Sequence, residues 1–201
     1  MDDTLILEGL VTSLNADGSV NLSPMGPRTD RAVTHLVLRP FQSSQTYRNL
    51  KRHGEGVFHI TDDVELIARA AIGRLDALPP LVPAPAIRGF VAADACRWFA
   101  FRVRELDDRA ERTTIVCDVV DRGTIRDFLG FNRAKHAVLE AAIFATRVGI
   151  LPAEQVRAEI ERLASPVDKT AGEAERRAFA LLTSYINAQL NSAQPPANPE
   201  P

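Results

Sequence analysis

The sequence contains little of what marks several large classes of protein. Among its 201 residues there are only two cysteines, and the formal net charge is −2. Cys96 and Cys117 lie far apart and outside any Cys-x-x-Cys spacing, so we expect buried or half-buried thiols in a reducing cytosol. A nearly balanced charge also lacks the concentrated Lys and Arg that nucleic acid or an anionic membrane requires, so neither is expected as a partner.

Long apolar runs are missing as well. No uninterrupted stretch approaches the length needed to cross a membrane, and the acidic start Met1-Asp2-Asp3 is unlike the positively charged start of a secretory leader. We therefore expect a cytoplasmic protein. The chain also has no Gly-rich phosphate loop of the P-loop or dinucleotide type.

Conventional catalytic or metal-binding constellations are also missing. His136 and Glu140 are one helical turn apart, a spacing that could place an imidazole and a carboxylate on one metal ion. Nothing nearby completes a ligand set, so a surface His–Glu pair is the better interpretation. His35 and His59 lie within predicted strands, where a packed or surface imidazole rather than a base is expected.

What is present is a change of pattern near residue 130. Before it, short strand-like runs alternate with turns, whereas helical periodicity dominates after it. Together with a hydrophobic content of 45%, this predicts a mainly β domain over residues 1–128 and a C-terminal helical subdomain over 129–191. The composition of residues 192–201 predicts a disordered tail.

The first domain contains at least five or six candidate strands. Asn15-Ala16-Asp17-Gly18 supplies the residues of a tight hairpin turn. The predicted strands cover residues 4–14, 32–40, 55–61, 98–106 and 112–120, and one more strand begins at residue 20. Antiparallel strands with short connections favour a barrel or a curled sheet.

Helices and one long loop complete the prediction. Residues 44–52 form a short polar helix, and a second helix runs to residue 72 with Asp62 as its cap. The proline-rich stretch 78–87 is expected to be a surface loop. Three further helices are predicted. They begin at about residue 131, at about residue 152, and at a Thr170–Glu173 capping box.

Short hydroxyl side chains and small residues lie where three of the predicted strands end. They are Thr12-Ser13, Ser23 to Gly26, and the Ser43-Ser44-Gln45-Thr46 segment. Hydroxyls and free backbone N–H groups at the start of a helix are the donors that a phosphate requires. For each segment alone, a helix cap or a turn is a sufficient explanation. Three such segments at neighbouring strand ends favour a ligand.

The residues around these segments resemble a known superfamily. EGLVTSLNADGSVNLSPMG (residues 8–26), RPFQSSQTYRNL (39–50) and GVFHITDDVELIARAA (56–71) resemble the FMN-binding split barrels related to flavin reductases and flavoredoxin. GFNRAKHAVLEAAIFATRVGIL (130–151), followed by PVDKTAGEAE, looks more narrowly like the domain-of-unknown-function family four-four-seven. That family is known mainly from archaea and from bacteria with tetrahydromethanopterin-dependent one-carbon genes.

The resemblance implies an α+β fold, mainly β with α: an FMN-binding split β-barrel of six strands with a C-terminal helical subdomain. It also implies a homodimer with FMN at the subunit interface. Thr12, Ser13, Leu14 and Asn15 would then lie along the isoalloxazine or the ribityl chain. Ser23, Pro24, Met25 and Gly26 would offer backbone groups and a soft side chain near the flavin. The phosphate would be held by Ser44, Thr46 and Tyr47, with positive charge from Arg39.

The resemblance leaves three functions open. The first is an FMN-dependent oxidoreductase linked to tetrahydromethanopterin-dependent one-carbon metabolism. The second is a flavin-binding or electron-transfer module without turnover, and the third is a structural protein that has lost the ligand. The chain lacks the Ser-rich, Asp-Pro-Pro run that many flavin reductases carry, which argues against a simple NADH-to-free-flavin role. FMN brings its own redox chemistry, so the missing triad does not argue against an enzyme.

Overall fold

A computed structural model describes residues 4–192 of the chain. These residues pack as two compact units, one made of residues 4–62 and 76–129 and the other of 63–75 and 130–192. The predicted tail over 192–201 lies outside the described residues, except that Ser192 ends the last helix. None of the helices in the described range is long and apolar enough to span a membrane.

The first unit is built on one antiparallel sheet. Its strands are β1 (Leu5–Ile6), β2 (Gly9–Leu14), β3 (Val20–Met25), β4 (Arg28–Thr29), β5 (His35–Leu38), β6 (Glu55–Ile60), β9 (Arg97–Asp107) and β10 (Thr114–Thr124). They are ordered β1-β4-β5-β10-β9-β6-β2-β3, so β3 forms one edge of this sheet. The antiparallel sheet expected from the strand pattern is confirmed.

The β2–β3 hairpin forms where the turn residues predict it. Gly18 adopts a φ of 84°, which a side chain would strain, and the amide of Asn15 donates to the carbonyl of Ser19 at 2.8 Å. The register pairs Ser13 with Asn21 and Leu10 with Pro24. Pro24 has no N–H to donate, and a position in an edge strand accommodates it.

The core of this unit lies against the long strands β9 and β10. Phe58, Phe99 and Phe101 are completely buried and belong to the same apolar cluster as Ile115 and Cys117. The pairing of β9 with β10 shifts register at two places, which are the irregularities that bend a sheet. The two strands that carry these irregularities therefore also contribute Phe99, Phe101, Ile115 and Cys117 to the apolar cluster.

One helix, α1 (Gln45–His53), packs against this sheet. Ser44 caps its first turn, and Gly54 ends it at a φ of 72°, a left-handed conformation in which a Cβ would be strained. Leu50 and Tyr47 are buried in the core, while the basic residues of the last turn remain near the surface. The predicted short helix is therefore confirmed.

The proline-rich stretch is more ordered than the expected loop. β7 (Leu81–Pro83) pairs with β8 (Phe90–Ala92) in a separate two-stranded sheet. Prolines are compatible with such a pair because each strand uses only one edge. The interpretation of this segment as loop alone was wrong for residues 81–83.

The second unit consists of helices. They are α2 (Val64–Ala71), α3 (Arg133–Ala145), α4 (Ala153–Thr170) and α5 (Glu173–Ser192), and they share one buried apolar cluster. Residues 63–75 belong to this unit although they precede the last two strands of the sheet. The predicted division at residue 128 stays a prediction.

Two predicted helix starts need correction. Asp63, not Asp62, caps α2, because its side chain accepts from the amide of Leu66 at 2.9 Å. Asp62 instead accepts from Arg126 Nη2 at 2.6 Å. The expected Thr170–Glu173 box is replaced by Glu175, whose Oε2 accepts from the amide of Gly172 at 2.9 Å.

Candidate functional site

Three hydroxyls from the predicted strand-end segments meet at one amide. Asn21 Nδ2 lies 3.4 Å from Ser13 Oγ, 3.3 Å from Ser23 Oγ and 3.2 Å from Thr46 Oγ1. These side chains belong to β2, β3 and the first turn of α1, so the fold joins the three segments that the sequence singles out. Asn21 itself was missed, because an asparagine within a strand carries no local signal.

The hydrogen-bond roles at this cluster are fixed by chemistry. The Asn21 amide nitrogen can only donate and carries two protons, so the oxygens of Ser13, Ser23 and Thr46 share these two protons as acceptors. Each hydroxyl then keeps its own proton, and within residues 4–192 no hydrogen bond uses those protons. The cluster therefore contains uncommitted O–H donors, of which Ser13 and Thr46 are only 3% and 1% exposed while Ser23 is half-buried.

Asn49, at the centre of α1, makes hydrogen bonds that hold this cluster in place. Its side chain has no solvent exposure, and Nδ2 donates to Ser13 Oγ at 3.0 Å and to Asn15 Oδ1 at 2.9 Å. Its Oδ1 accepts from Gln45 Nε2 at 2.8 Å and from Arg52 at 3.2 Å. Both donors and both acceptor positions of the Asn49 amide therefore have partners. These bonds connect α1 to the β2–β3 hairpin.

The hydroxyl groups of Ser44 and Tyr47 take part in different hydrogen bonds. The Ser44 hydroxyl accepts from the amide of Tyr47 at 3.2 Å, which is the ordinary N-cap bond and leaves the hydroxyl proton free. The Tyr47 hydroxyl donates to Asp108 Oδ2 at 2.7 Å, and Lys51 donates to both groups. The hydrogen bonds from Lys51 and Tyr47 hold the pKa of Asp108 below its usual value. In this geometry the phenol proton is already used.

The remaining predicted residues border the cluster. The Thr12 hydroxyl donates to the carbonyl of Phe90 at 2.6 Å, and the Leu14 carbonyl accepts from Arg52. Pro24 and Met25 are half-buried at the end of β3, and Gly26 is exposed after it.

Arg39 is half-buried, and its carbonyl accepts from Arg112 Nε at 3.3 Å. Across residues 4–192 no hydrogen bond or ion pair connects its side chain to the other predicted residues. The structure therefore brings Ser13, Asn15, Ser23 and Thr46 together most closely, whereas Arg39 stays outside that network.

His59 is not available as a base. It is completely buried in β6, where Nε2 accepts from the amide of Ala92 at 3.0 Å and Nδ1 lies 3.2 Å from the carbonyl of Leu10. Nδ1 must therefore carry the proton and donate it to Leu10. Burial lowers the pKa of His59 to about 4, although the contact with Leu10 opposes the shift. This histidine is packed in the core, as expected.

The other candidate groups are also structural. His136 Nε2 and Glu140 Oε1 are 3.9 Å apart on an exposed helix face, which matches the expected surface pair. In the part of the chain that the structure describes, no three His, Cys, Asp or Glu side chains are grouped as metal ligands. Cys96 and Cys117 are free and buried, as predicted, and burial raises the pKa of Cys117 to about 12.

Two clefts lie elsewhere on the first unit. One, of about 490 Å³, is lined by residues that include His53, Glu55 and Arg102. The other, of about 640 Å³, is lined by residues that include Asp107, Asp108 and Arg109. Neither contains any of the twelve predicted flavin residues.

Two family models match this chain. The family model described as "Protein of unknown function (DUF447) N-terminal domain" matches residues 7–126, and a second, "Protein of unknown function (DUF447)", matches residues 132–184. None of the curated proteins matches the chain.

Solved structures match the fold. An FMN-bound DUF447 protein from Methanosarcina mazei aligns with a TM-score of 0.74 at 24% identity, over 90% of this chain and 94% of that one. A flavoredoxin from Methanosarcina acetivorans aligns with a TM-score of 0.53 at 14% identity, over 59% and 68%. The flavin reductase of a styrene monooxygenase from Pseudomonas putida aligns with a TM-score of 0.50 at 14% identity, over 60% and 82%. The predicted split-barrel fold with helices is thereby confirmed.

Proposed function

The chain belongs to the DUF447 family of proteins of unknown function, and from that premise we propose that it is a flavoprotein that binds FMN. The observation that carries the proposal is the FMN-bound protein of the same family, which has the same fold over 90% of this chain. Bound FMN would supply the redox chemistry, while the protein would supply binding and orientation.

The residues present fit the phosphate of FMN. A phosphate group accepts hydrogen bonds, and the protons of Ser13, Ser23 and Thr46 are uncommitted within the described residues. Thr46 also lies in the first turn of α1, where backbone N–H groups lack partners within the helix and favour an anion. Ser44 retains its proton as well, so it can join this set.

The flavin ring and ribityl chain would lie along the hairpin. In this proposal Thr12 to Asn15 contact the ring or the ribityl chain, and Ser23 to Gly26 provide backbone groups and the Met25 thioether. Tyr47 would contribute through its ring because its hydroxyl proton is bound to Asp108. Arg39 would add positive charge from outside the hydrogen-bonded network.

A cytoplasmic homodimer with FMN at its subunit interface completes the proposal. The twelve proposed residues line neither of the two clefts, as expected if one chain supplies only one wall of the flavin site. Sedimentation should then give twice the chain mass of 22.0 kDa. A monomer that still binds FMN stoichiometrically would contradict the interface site.

The first test is a spectrum of the purified protein followed by an FMN titration. We expect flavin absorbance, or uptake of added FMN. A colourless protein that takes up no FMN would contradict the proposal. Ser23→Ala and Thr46→Ala should each weaken FMN binding because each removes an O–H donor. Thr124→Ala, at an exposed position at the end of β10, is the matched control and should leave binding unchanged.

We propose an oxidoreductase as the activity, acting on a pterin or on another one-carbon carrier of the tetrahydromethanopterin type. An electron-transfer or flavin-storage module is the second candidate. A hydroxyl cluster surrounded by amides is consistent with either role, because FMN supplies the redox chemistry itself. Anaerobic mixing with NADH, NADPH and reduced pterins distinguishes the two, because rapid bleaching by one donor supports the enzyme.

A further inference from the structure

The cleft of about 490 Å³ is separate from the residues proposed for FMN. It forms where Gly54 ends α1 in a left-handed conformation and turns the chain into β6. This turn places His53 and Glu55 side by side on one wall. Residues 85–88 also line the cleft, and β9 contributes Arg102 and Val103 to the lining.

Two arginines and one carboxylate set the charge of this cleft. Glu55 Oε1 accepts from Arg102 Nε at 3.1 Å, and Oε2 accepts from the backbone amide of Arg88 at 3.0 Å. Burial alone would raise the pKa of Glu55, but the bonds from Arg102 and Arg88 hold it below its usual value. The carboxylate is therefore charged and already satisfied, and the two guanidinium groups leave an excess of positive charge.

Several donors at the cleft remain unused. Arg102 donates from Nη2 to the carbonyl of Ala86 at 2.8 Å, but no described residue accepts from its Nη1. The exposed Arg88 guanidinium has no hydrogen bond or ion pair within residues 4–192. His53 Nδ1 is buried without a hydrogen-bond partner, 3.7 Å from Glu55 Oε2. Buried polar atoms without partners are rare in proteins and indicate a place for a ligand or water.

The lining also has an apolar part. Pro85, Ile87 and Val103 border the cleft, and Ile87 is packed into a small apolar cluster with Val57. The 85–88 segment is fixed in place because Ala84 and Gly89 share a backbone hydrogen bond of 2.9 Å and Arg102 binds Ala86. An occupant that uses the whole cleft therefore has an anionic group and an apolar body.

We propose that this cleft binds a small organic carboxylate, with its anionic group between Arg88 and Arg102 and its apolar part against Ile87 and Val103. The carboxylate would take the free donors of both guanidinium groups, which is the strongest pairing available to arginine. Glu55 orients Arg102 for this contact, and His53 lies beside Glu55 at the edge of the same wall. The proposal does not depend on FMN binding.

The test is an NMR titration of the isotope-labelled full chain with benzoate, with benzamide as the uncharged control. We expect benzoate to shift the ring signals of His53 and the amides of Ile87 and Arg88 in a saturable way, whereas benzamide does not. Equal shifts with benzamide, or shifts spread over the basic surface, would overturn the carboxylate site.

Variants make the test specific. Arg88→Gln, at a side chain with no partner among residues 4–192, should raise the benzoate dissociation constant about tenfold, as expected for one lost charge-assisted hydrogen bond. Arg102→Gln should do the same but also frees Glu55, so Arg88→Gln is the cleaner change. Arg157→Gln, at an exposed position on α4, is the control, and an equal effect there would overturn the proposal.

Repeating the titration after addition of FMN separates this site from the flavin site. Unchanged benzoate shifts in protein saturated with FMN support two separate sites. Loss of the shifts would mean that the cleft belongs to the flavin site, which overturns the inference but not FMN binding. If the chain binds no FMN, the titration without FMN still decides the carboxylate site.

Discussion

Asn49 Nδ2 donates to Ser13 Oγ at 3.0 Å, and this buried bond joins α1 to β2. Removal of the amide takes one of two donors from the oxygens of Ser13 and Asn15, and one of two acceptors from Gln45 Nε2. We expect Asn49→Ala to lower the free energy of unfolding by about 2 kcal/mol, because several buried hydrogen bonds worth about 0.5–1.5 kcal/mol each are lost together. Urea denaturation measures this, with Asn187→Ala at an exposed helical position as the control. Equal small effects would contradict the structural role.

His59 should make stability depend on pH. Its pKa falls from 6.5 to about 4 on folding, so between these values the unfolded chain binds a proton that the folded chain does not. Stability is therefore fully present above pH 6.5 and decreases as the pH falls toward 4, by about 3 kcal/mol from this group.

Urea denaturation from pH 7 to pH 4 checks this effect against His59→Gln, which has no titrating ring and should show a smaller decrease. A direct NMR titration of the His59 ring in the unmodified protein is the second measurement. A ring that titrates near pH 6.5 in the folded protein would contradict the depressed pKa.

The two thiols should resist modification in the folded protein. Both are buried, and burial raises the pKa of Cys96 and takes that of Cys117 to about 12. Only the thiolate reacts with iodoacetamide, so the native protein at pH 8 should stay unlabelled and both thiols should react after denaturation. Ser184→Cys, at an exposed helical position, is the positive control. Rapid native labelling of Cys117 would show that the sheet opens.

Gly56 should be intolerant of a side chain. A Cβ there would lie 2.7 Å from Phe101 Cζ and 3.0 Å from the carbonyl oxygen of Thr12. Gly56→Ala should therefore destabilise the protein by about 1–3 kcal/mol through overpacking. Gly26→Ala is the matched control, because its Cβ would meet only the end of the flexible Glu8 side chain. Unfolding of both variants at the same urea concentration would contradict the prediction that Gly56 is intolerant of a side chain.

Local patterns were sufficient to predict much of the sheet. Alternating apolar residues predict β9 and β10, and the Asn15–Gly18 turn predicts the β2–β3 hairpin, because each depends on neighbours in the chain. Local patterns do not distinguish Asp62 from Asp63 as the cap of α2. Adjacent carboxylates offer the same local chemistry, and the contact of Asp62 with Arg126 is 64 residues away in sequence.

The site was predictable only in outline. Hydroxyls at strand ends pointed to Ser13, Ser23 and Thr46, but nothing local marks Asn21 or Asn49 as the amides that contact them. Their partners are brought together by the packing of α1 on the hairpin, and asparagine within an element more often has a surface role. The grouping of His53 with Arg102 has the same origin, since β9 reaches β6 only through the sheet order.

Pro24 in the edge strand has a consequence for assembly. A strand from another molecule could extend the sheet beyond β3 only by exchanging backbone hydrogen bonds along its outer edge, and Pro24 cannot donate one there. A continuous sheet across two copies of this chain is therefore disfavoured at β3. The same proline protects this edge against strand-to-strand aggregation.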